Sequence, residues 1–187
     1  MALIEAYISM SADGYVTGPG LDREPGLGEG GKVLHEWFAH DEGRPYLDEL
    51  FAVSGAVVTS RKVYEITGGW GEDGLYRMPV FVVTHRPEGQ VVKGDTTFTF
   101  VTDGIDAALT QAAEAAGDKR VYVMGGASII QQSLRSGLLE QLQLHIVPVL
   151  LGAGTRLFDH LGGPIQLEHL ATADTPGATH LTYRVLR

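Results

Sequence analysis

The sequence predicts an α/β fold of three layers, in which helices cover a central, mostly parallel sheet with an antiparallel strand near the C-terminus. Short β-branched runs such as 55–59 are typical of strands buried on both faces, and helical patterns separate them along the chain. Residues 180–186 instead alternate, with Leu181, Tyr183 and Val185 on one face, which is typical of an antiparallel strand with one solvated face. The length of 187 residues favours a single domain over residues 1–187.

Individual elements follow from periodicity and from glycine and proline positions. Apolar runs predict strands at residues 3–10, 55–59, 79–84, 97–102, 120–124, 142–150 and 180–186. Apolar stripes predict helices at residues 32–39, 44–53, 104–116 and 127–134. Asp103 is expected to cap the third of these helices, and Gly117 to follow its end. Two glycine-rich stretches, 18–31 and 68–78, are expected to be loops.

Composition excludes several classes of function. A formal net charge of −9 argues against a protein that follows a phosphate backbone, so no nucleic-acid partner is expected. The sequence has no Cys, which excludes disulfides, thiolate metal sites and cysteine nucleophiles. His35 and His40 are five residues apart and so do not share a helix face, and no metal is predicted. Apolar runs are far below the ~20 residues of a membrane-spanning helix, and we expect a cytoplasmic protein that does not enter membranes.

The junction after strand 120–124 carries the strongest chemical signal. The strand runs into Gly125 and Gly126 and then directly into a helix, and Ser128 adds a hydroxyl to its first turn. Glycine lets backbone approach a phosphate, and the first N–H groups of a helix attract anions. A plain strand–turn–helix junction has the same residues, so both interpretations stay open. The glycines do not form a G-x-G-x-x-G or P-loop motif.

Two further strand ends carry groups suited to phosphate. Ser60, Arg61 and Lys62 follow one buried strand, and Thr84, His85 and Arg86 follow the next. The first set alone is also typical of a solvated pair of charges that opens a helix. Ligands of open α/β sheets bind at the carboxyl ends of strands, so the three junctions together favour a phosphorylated ligand.

The motifs at these junctions resemble those of the dihydrofolate-reductase-like superfamily. The closest resemblance is to the reductase domain of the bifunctional riboflavin-biosynthesis deaminase-reductase and its stand-alone relatives, and it covers nearly the whole chain. The matching segments are Ile8-Ser9-Met10-Ser11-Ala12-Asp13-Gly14-Tyr15-Val16, Ser60-Arg61-Lys62-Val63-Tyr64-Glu65, Val83-Thr84-His85-Arg86-Pro87, Gly125-Gly126-Ala127-Ser128 and Pro148-Val149-Leu150-Leu151-Gly152-Ala153-Gly154 with Leu157-Phe158. Ser60 stands where the family usually has Gly, and Val63 where it often has Thr.

The resemblance implies NADPH as cofactor. Arg61 and Lys62 would hold the pyrophosphate or the 2′-phosphate, residues 84–86 would flank the adenine ribose, and residues 125–129 would bind the pyrophosphate through backbone. Backbone near Ser9 and Val16 would face the nicotinamide, and the loop 18–31 would close over the site. The residues expected at the cofactor are Ser9, Val16, Thr59, Ser60, Arg61, Lys62, Val63, Thr84, His85, Arg86, Gly125, Gly126, Ala127, Ser128 and Ile129.

The implied activity is an NADPH-dependent reductase that transfers hydride to a small heterocyclic substrate. That substrate would be a riboflavin precursor of the 5-amino-6-(5-phosphoribosylamino)uracil kind or a pterin. An NADP(H)-binding sensor or regulatory protein with little turnover is the alternative, and a domain binding another phosphorylated ligand is a third. A homodimer is expected by resemblance.

Three further residues are candidates for the chemistry. Asp13 would be the catalytic group, although Asp-Gly is also an ordinary turn pair. Trp37 and Gly154 would contact the substrate, and core packing is the alternative for the indole ring. His145 lies mid-strand, where a histidine most often has a structural role.

Overall fold

The computed structural model describes residues 2–20 and 26–186. Its strands are β1 (Ile4–Ser11), β2 (Tyr15–Thr17), β3 (Ser54–Ser60), β4 (Pro79–Val83), β5 (Val91–Lys93), β6 (Thr96–Val101), β7 (Arg120–Gly125), β8 (Gln141–Val147), β9 (Thr155–Arg156), β10 (Leu167–Thr175) and β11 (Ala178–Val185). Its helices are a 3-10 helix (Gly31–Ala39) and the α-helices α1 (Arg44–Val53), α2 (Arg61–Ile66), α3 (Ile105–Ala116) and α4 (Ala127–Ser136).

Nine strands form one sheet in the order β10-β11-β8-β1-β7-β3-β4-β6-β5. The six strands from β8 to β6 run parallel to one another. Antiparallel strands flank them, with β11 between β8 and β10 on one side and β5 beside β6 on the other. The predicted α/β class, with a mostly parallel sheet and antiparallel C-terminal strands, is confirmed.

Helices cover both faces of the sheet. One face packs against α3 and α4, whose Leu109 and Ile130 are fully buried with Val121 of β7. The other face packs against the 3-10 helix and α1, through Leu34 and Leu50. Because β-strand side chains alternate between faces, neighbouring residues of one strand serve both cores, and the three predicted layers are present.

Several elements differ from the sequence prediction. Strands β2, β5, β9 and β10 were not predicted: the first three have only two or three residues, and β10 is exposed along almost its whole length, which removes the apolar alternation that marks a strand. The strand predicted to reach residue 150 ends at Val147, directly before Pro148. Asp103 does not cap α3, because Gly104 occupies the N-cap with φ +88° and no side chain caps the helix.

The glycine-rich stretch 18–31 is described only at its ends, and residues 21–25 lie outside the described residues. Those ends are joined by backbone hydrogen bonds: Gly18 donates to the carbonyl of Leu27 and Glu29 to that of Pro19, each over 2.8 Å. Across 2–20 and 26–186, no helix is long and apolar enough to cross a membrane. Within the same residues, no group of three or more His, Asp or Glu side chains is arranged to hold a metal ion.

Candidate active site

The three junctions singled out from the sequence lie side by side. Their strands β7, β3 and β4 are neighbours in the sheet and run parallel. Thr59 pairs with Gly125 in register and Ser60 with Val83, and the Thr59 hydroxyl donates to the Gly125 carbonyl over 2.9 Å. The carboxyl ends of three strands therefore form one continuous edge.

Two glycines at the end of β7 differ in what they require. Gly125 has φ +110°, a conformation that side chains rarely adopt, and the peptide bond to Gly126 is cis. Gly126 has an ordinary φ of −65°, and a Cβ built there would meet only the Val63 Cγ2 atom, at 3.6 Å. The backbone conformation thus explains a glycine at position 125. The backbone conformation at position 126 does not require glycine, and the space beside the Gly126 Cα is open.

The first turn of α4 presents backbone rather than side chains. No side chain caps this helix, and the Ile129 N–H donates to the carbonyl of the N-cap residue Gly126 over 3.0 Å, so Ala127 and Ser128 carry the N–H groups best placed for a ligand. The side chains of Ala127 and Ile129 are buried in the core, whereas Ser128 is exposed. Of the expected contacts here, Ala127 can therefore contribute only its backbone and Ser128 also its hydroxyl, whereas the Ile129 N–H is already bound to Gly126.

Arg61 is held by two carboxylates and an aromatic ring. Its Nε donates to Glu65 over 2.9 Å, and its Nη1 contacts a carboxylate oxygen of Glu88. Its guanidinium lies over the Phe100 ring, 5.0 Å from the ring centre. Glu65 also accepts from Arg86 over 2.6 Å, and its hydrogen bond with Arg61 is the largest cause that holds the pKa of Glu65 below its usual range. Two carboxylates therefore stand where an anionic ligand would meet these arginines.

The hydroxyl groups of Ser60 and Thr84 at this edge form hydrogen bonds with backbone groups two or three residues away. The Ser60 hydroxyl caps α2 by accepting from the Val63 N–H over 3.2 Å, so in this conformation Val63 does not offer the open backbone donor expected from the sequence. The Thr84 hydroxyl accepts from the Arg86 N–H over 3.0 Å. His85 and Lys62 are exposed beside these groups.

A split opens in the sheet beside the candidate nicotinamide position. Strand β1 pairs with β7 only as far as Ala6, whereas it stays paired with β8 as far as Ser11. Backbone groups of β1 beyond Ala6 thus lack a strand partner on the β7 side. Ser9 lies in this segment, and its side chain is committed elsewhere because its hydroxyl accepts from the Trp37 indole N–H over 2.9 Å. The Val16 side chain is buried.

Asp13 holds a loop in place. Its carboxylate accepts from the Ser11 hydroxyl over 2.6 Å and from the backbone N–H groups of Leu151 and Gly152 over 3.1 Å and 2.8 Å. These hydrogen bonds, that of Ser11 foremost, lower the pKa of Asp13 to about 2. The carboxylate is therefore ionised at neutral pH and cannot serve as a proton donor, which removes general acid from the roles open to Asp13.

Gly154 is required by a close backbone approach. A Cβ at this position would lie 1.9 Å from the Thr17 carbonyl oxygen, and its φ is +133°. Thr17 pairs there with Thr155 in the small β2–β9 sheet. This packing accounts for the glycine without a substrate, although Gly154 itself is exposed.

Trp37 lies in the core rather than on a pocket wall. Its side chain is 2% exposed and stacks on the His145 ring at 4.7 Å between ring centres. His145 in turn contacts His180 through their Nδ1 atoms, 2.6 Å apart. Burial, first, and the neighbouring His180 lower the pKa of His145 to about 3, so its ring is neutral. The expected substrate contact of Trp37 is thus replaced by a structural one, and the structural interpretation of His145 agrees with its burial.

Sequence reasoning missed the two carboxylates and the loop that Asp13 holds. Glu65 lies four residues after Arg61 on one helix, a spacing that by itself predicts an ion pair. Glu88 belongs to a loop, and Leu151 is 138 residues from Asp13 along the chain. No local sequence pattern connects Glu88 with Arg61 or Leu151 with Asp13.

Comparison with known proteins places the chain in a family and finds similar proteins. The RibD C-terminal domain family matches residues 3–179. The Bacillus subtilis protein YyaP, itself uncharacterized, is 25% identical over 165 residues, which cover 83% of this chain and 86% of that protein. A putative riboflavin biosynthesis protein of Shewanella sp. PV-4 has a similar structure, with a TM-score of 0.80 and 22% identity over the whole of both chains.

A second solved structure widens the comparison. The riboflavin biosynthesis reductase Rib7 of Saccharomyces cerevisiae matches with a TM-score of 0.67 and 13% identity, over 99% of this chain and 90% of that one. At these identities the solved structures establish the fold, and the match over residues 3–179 establishes the family. The chain belongs to the RibD C-terminal domain family.

Proposed function

We propose that the chain is an NADPH-dependent reductase whose cofactor lies along the carboxyl ends of β7, β3 and β4. The observation that carries the proposal is the single edge formed by these strand ends, with an open approach at Gly126 on one strand and arginines on the other two. NADPH carries a pyrophosphate, which suits a helix start, and a 2′-phosphate, which suits a guanidinium.

Backbone groups and side chains would bind different parts of the cofactor. The open face of Gly126 and the first turn of α4 would hold the pyrophosphate through N–H groups. Arg61, with Lys62 and Arg86 nearby, would hold the 2′-phosphate, which would replace carboxylates as the partner of Arg61. The unpaired edge of β1 beyond Ala6 would orient the nicotinamide. When bound, NADPH supplies the hydride.

We further propose a small heterocyclic substrate, of the class of a phosphoribosylaminouracil or a pterin. The family and its structural relatives named for riboflavin biosynthesis support this class. The protein's own contribution would be to position the ring beside β1 and to exclude water. Loss of nicotinamide absorbance with a panel of aminopyrimidine–ribityl compounds, pteridines and simple carbonyl compounds tests it.

A binding protein with little turnover is the second candidate. It is favoured by the state of Asp13, which is ionised and occupied by three donors and so cannot act as the acid. Tight NADPH binding without oxidation by any member of the same panel would support this candidate over the reductase.

Affinity measurements test the cofactor assignment. NADPH should quench tryptophan fluorescence with an affinity in the micromolar range, and NADH should bind more weakly, because only NADPH has the second phosphate. Arg61→Ala should weaken NADPH more than NADH. Arg184→Ala is the matched control, since Arg184 is an exposed arginine in an ion pair with Glu168 on the C-terminal hairpin. Equal affinities for the two cofactors in the unmodified chain would refute the assignment.

We also propose a homodimer that uses the outer edge of β10. This strand of nine residues is exposed except at Thr175, and Leu167 and Leu170 are 39% and 40% exposed. Edge strands offer unpaired N–H and C=O groups to a second chain. Light scattering during size exclusion should give the mass of two chains, and the mass of one chain would refute the proposal.

A further inference from the structure

A cavity lies away from the strand ends described above. It has a volume of about 280 Å³ and lies between α1 and strands β1, β8, β11 and β10. Glu5 and Arg120, which line it, belong to the first residues of β1 and β7, whereas the candidate cofactor site uses the last residues of β7, β3 and β4. Because these strands are parallel, the Glu5 side of the cavity and the cofactor edge are at opposite ends of the sheet.

Glu5 is the central group of this cavity, and its two oxygens differ sharply. Its side chain is fully buried. The Oε2 atom accepts from Arg120 over 3.0 Å, from Gln141 over 3.2 Å and from Gln143 over 3.0 Å. The Oε1 atom is buried and has no partner among the described residues. Three donors thus fix the carboxyl group and leave one strong acceptor unused, although an unpaired buried oxygen is costly.

Two more buried polar atoms of the lining have no partner in the described chain, the Tyr7 hydroxyl and the His145 Nε2. His145 and His180 share a hydrogen bond between their Nδ1 atoms, and His180 Nε2 lies 3.0 Å from the Thr175 hydroxyl. In the tautomer in which the His145 proton is on Nδ1, His145 Nε2 is an acceptor.

The charge of the lining favours a cation. Glu5 and Glu49 contribute two carboxyl groups and Arg120 one positive charge, which gives a formal charge of −1 for these three residues when both carboxyl groups are ionised. Burial raises the pKa of Glu5 and the neighbouring Arg120 opposes that shift, so a bound cation would favour the ionised form. Burial lowers the pKa of both His145 and His180, so neither ring adds a positive charge. Aromatic rings of Tyr7 and Tyr46 also line the space, and such rings attract ammonium and guanidinium groups.

We propose that this cavity is a second ligand site, which binds a small organic cation with N–H groups, an aliphatic amine or guanidine, through Glu5 Oε1. The ligand would supply the donors that the buried acceptors lack, and its charge would offset the excess carboxylate. The volume of about 280 Å³ limits it to a molecule smaller than a nucleotide. This site is separate from the cofactor edge and does not depend on the proposed reductase activity.

Calorimetric titration of the full chain with agmatine, which carries a guanidinium and an ammonium group, tests the proposal. We expect saturable 1:1 binding below about 10 mM, a range suited to a few polar contacts. Glu5→Gln removes the charge of the anchor, and Ala173→Trp fills the mouth from the exposed strand β10. Each should weaken binding at least about tenfold. Val92→Trp is the control on the exposed edge strand β5, outside the lining and far from β10, and should bind agmatine like the unmodified chain.

The outcomes separate this site from the cofactor site. NADPH affinity should be the same in Ala173→Trp as in the unmodified chain, whichever way the agmatine result falls. If Glu5→Gln does not fold, Ala173→Trp alone decides. Absence of saturable binding, equal agmatine affinity in Ala173→Trp, or a crystal structure soaked in agmatine in which only water molecules contact Glu5 Oε1 would each overturn the proposal.

Discussion

Replacing Gly126 with alanine separates the needs of the fold from those of the ligand. The residue has φ −65°, which alanine adopts readily, and the nearest atom to the added methyl group is Val63 Cγ2 at 3.6 Å, an ordinary contact. Alanine also reduces the freedom of the unfolded chain, so we expect the free energy of unfolding to stay within about 1 kcal/mol of its original value.

Cofactor binding should respond very differently. The methyl group would occupy the open side of Gly126. In the proposed placement, this is where the pyrophosphate would approach the first N–H groups of α4. A hydrogen bond from an N–H group to a charged acceptor contributes about 1.5–3 kcal/mol. Loss of one such bond therefore weakens NADPH binding roughly 10- to 100-fold. The neighbouring Gly125 is the contrasting position, because its φ of +110° makes Gly125→Ala costly to the fold by about 1–3 kcal/mol.

Two measurements on the same preparations decide the matter. Urea unfolding reports the stability of each variant, and fluorescence titration reports its affinity for NADPH. A stable Gly126→Ala variant with unchanged affinity would refute the placement of the pyrophosphate. A strongly destabilised variant would instead refute the structural reasoning that the space beside Gly126 is open.

Three further predictions use other parts of the site. Glu88→Gln removes a carboxylate from Arg61 and should strengthen NADPH binding about two- to fivefold with less effect on NADH; equal effects on both would exclude a role beside the 2′-phosphate. The pKa of Asp13 is lowered from 3.8 to about 2, so the contribution of Asp13 to stability is present above pH 4 and is lost as pH falls through 2. Asp13→Asn should flatten this part of the acid-unfolding profile, and an unchanged profile would contradict the role of Asp13 in holding the loop. Gly154→Ala should destabilise the chain even without ligand, as thermal unfolding would detect, because its Cβ would lie 1.9 Å from the Thr17 carbonyl.

The parallel strands and their functional ends could be predicted because the relevant signals are local. Val57, Val80 and Val121 are fully buried, and each lies in a short apolar run that has no solvated face. The rule that ligands bind at the carboxyl ends of parallel strands then selects the residues after each run. The order of the strands is not local, since neighbours such as β1 and β8 pair across more than a hundred residues.

The roles of individual side chains could not be predicted for the same reason. Asp13 lies in an Asp-Gly turn whether it is a catalytic group or an ordinary turn residue. Its ionised state depends on N–H groups of Leu151 and Gly152, which are distant along the chain. Gly154 matches a family motif, yet its need for glycine comes from the Thr17 carbonyl. Strand β10 escaped detection because it is exposed on both faces and therefore has no apolar alternation.

The two halves of the candidate site differ in how freely their polar groups can change partners. Arg61 and Arg86 are bound to exposed carboxylates, which an arriving phosphate can replace without leaving a buried charge unpaired. On the β1 side, Ser9 is committed to Trp37, Asp13 to its loop, and His145 is neutral. None of these three groups can deliver a proton at neutral pH in this conformation.

If hydride transfer occurs here, we therefore expect its accompanying proton to come from water or from the substrate, and the pH dependence of turnover to be unchanged in Asp13→Asn above pH 5. A loss of the acidic limb in that variant would identify Asp13 as part of the proton path and would contradict this argument.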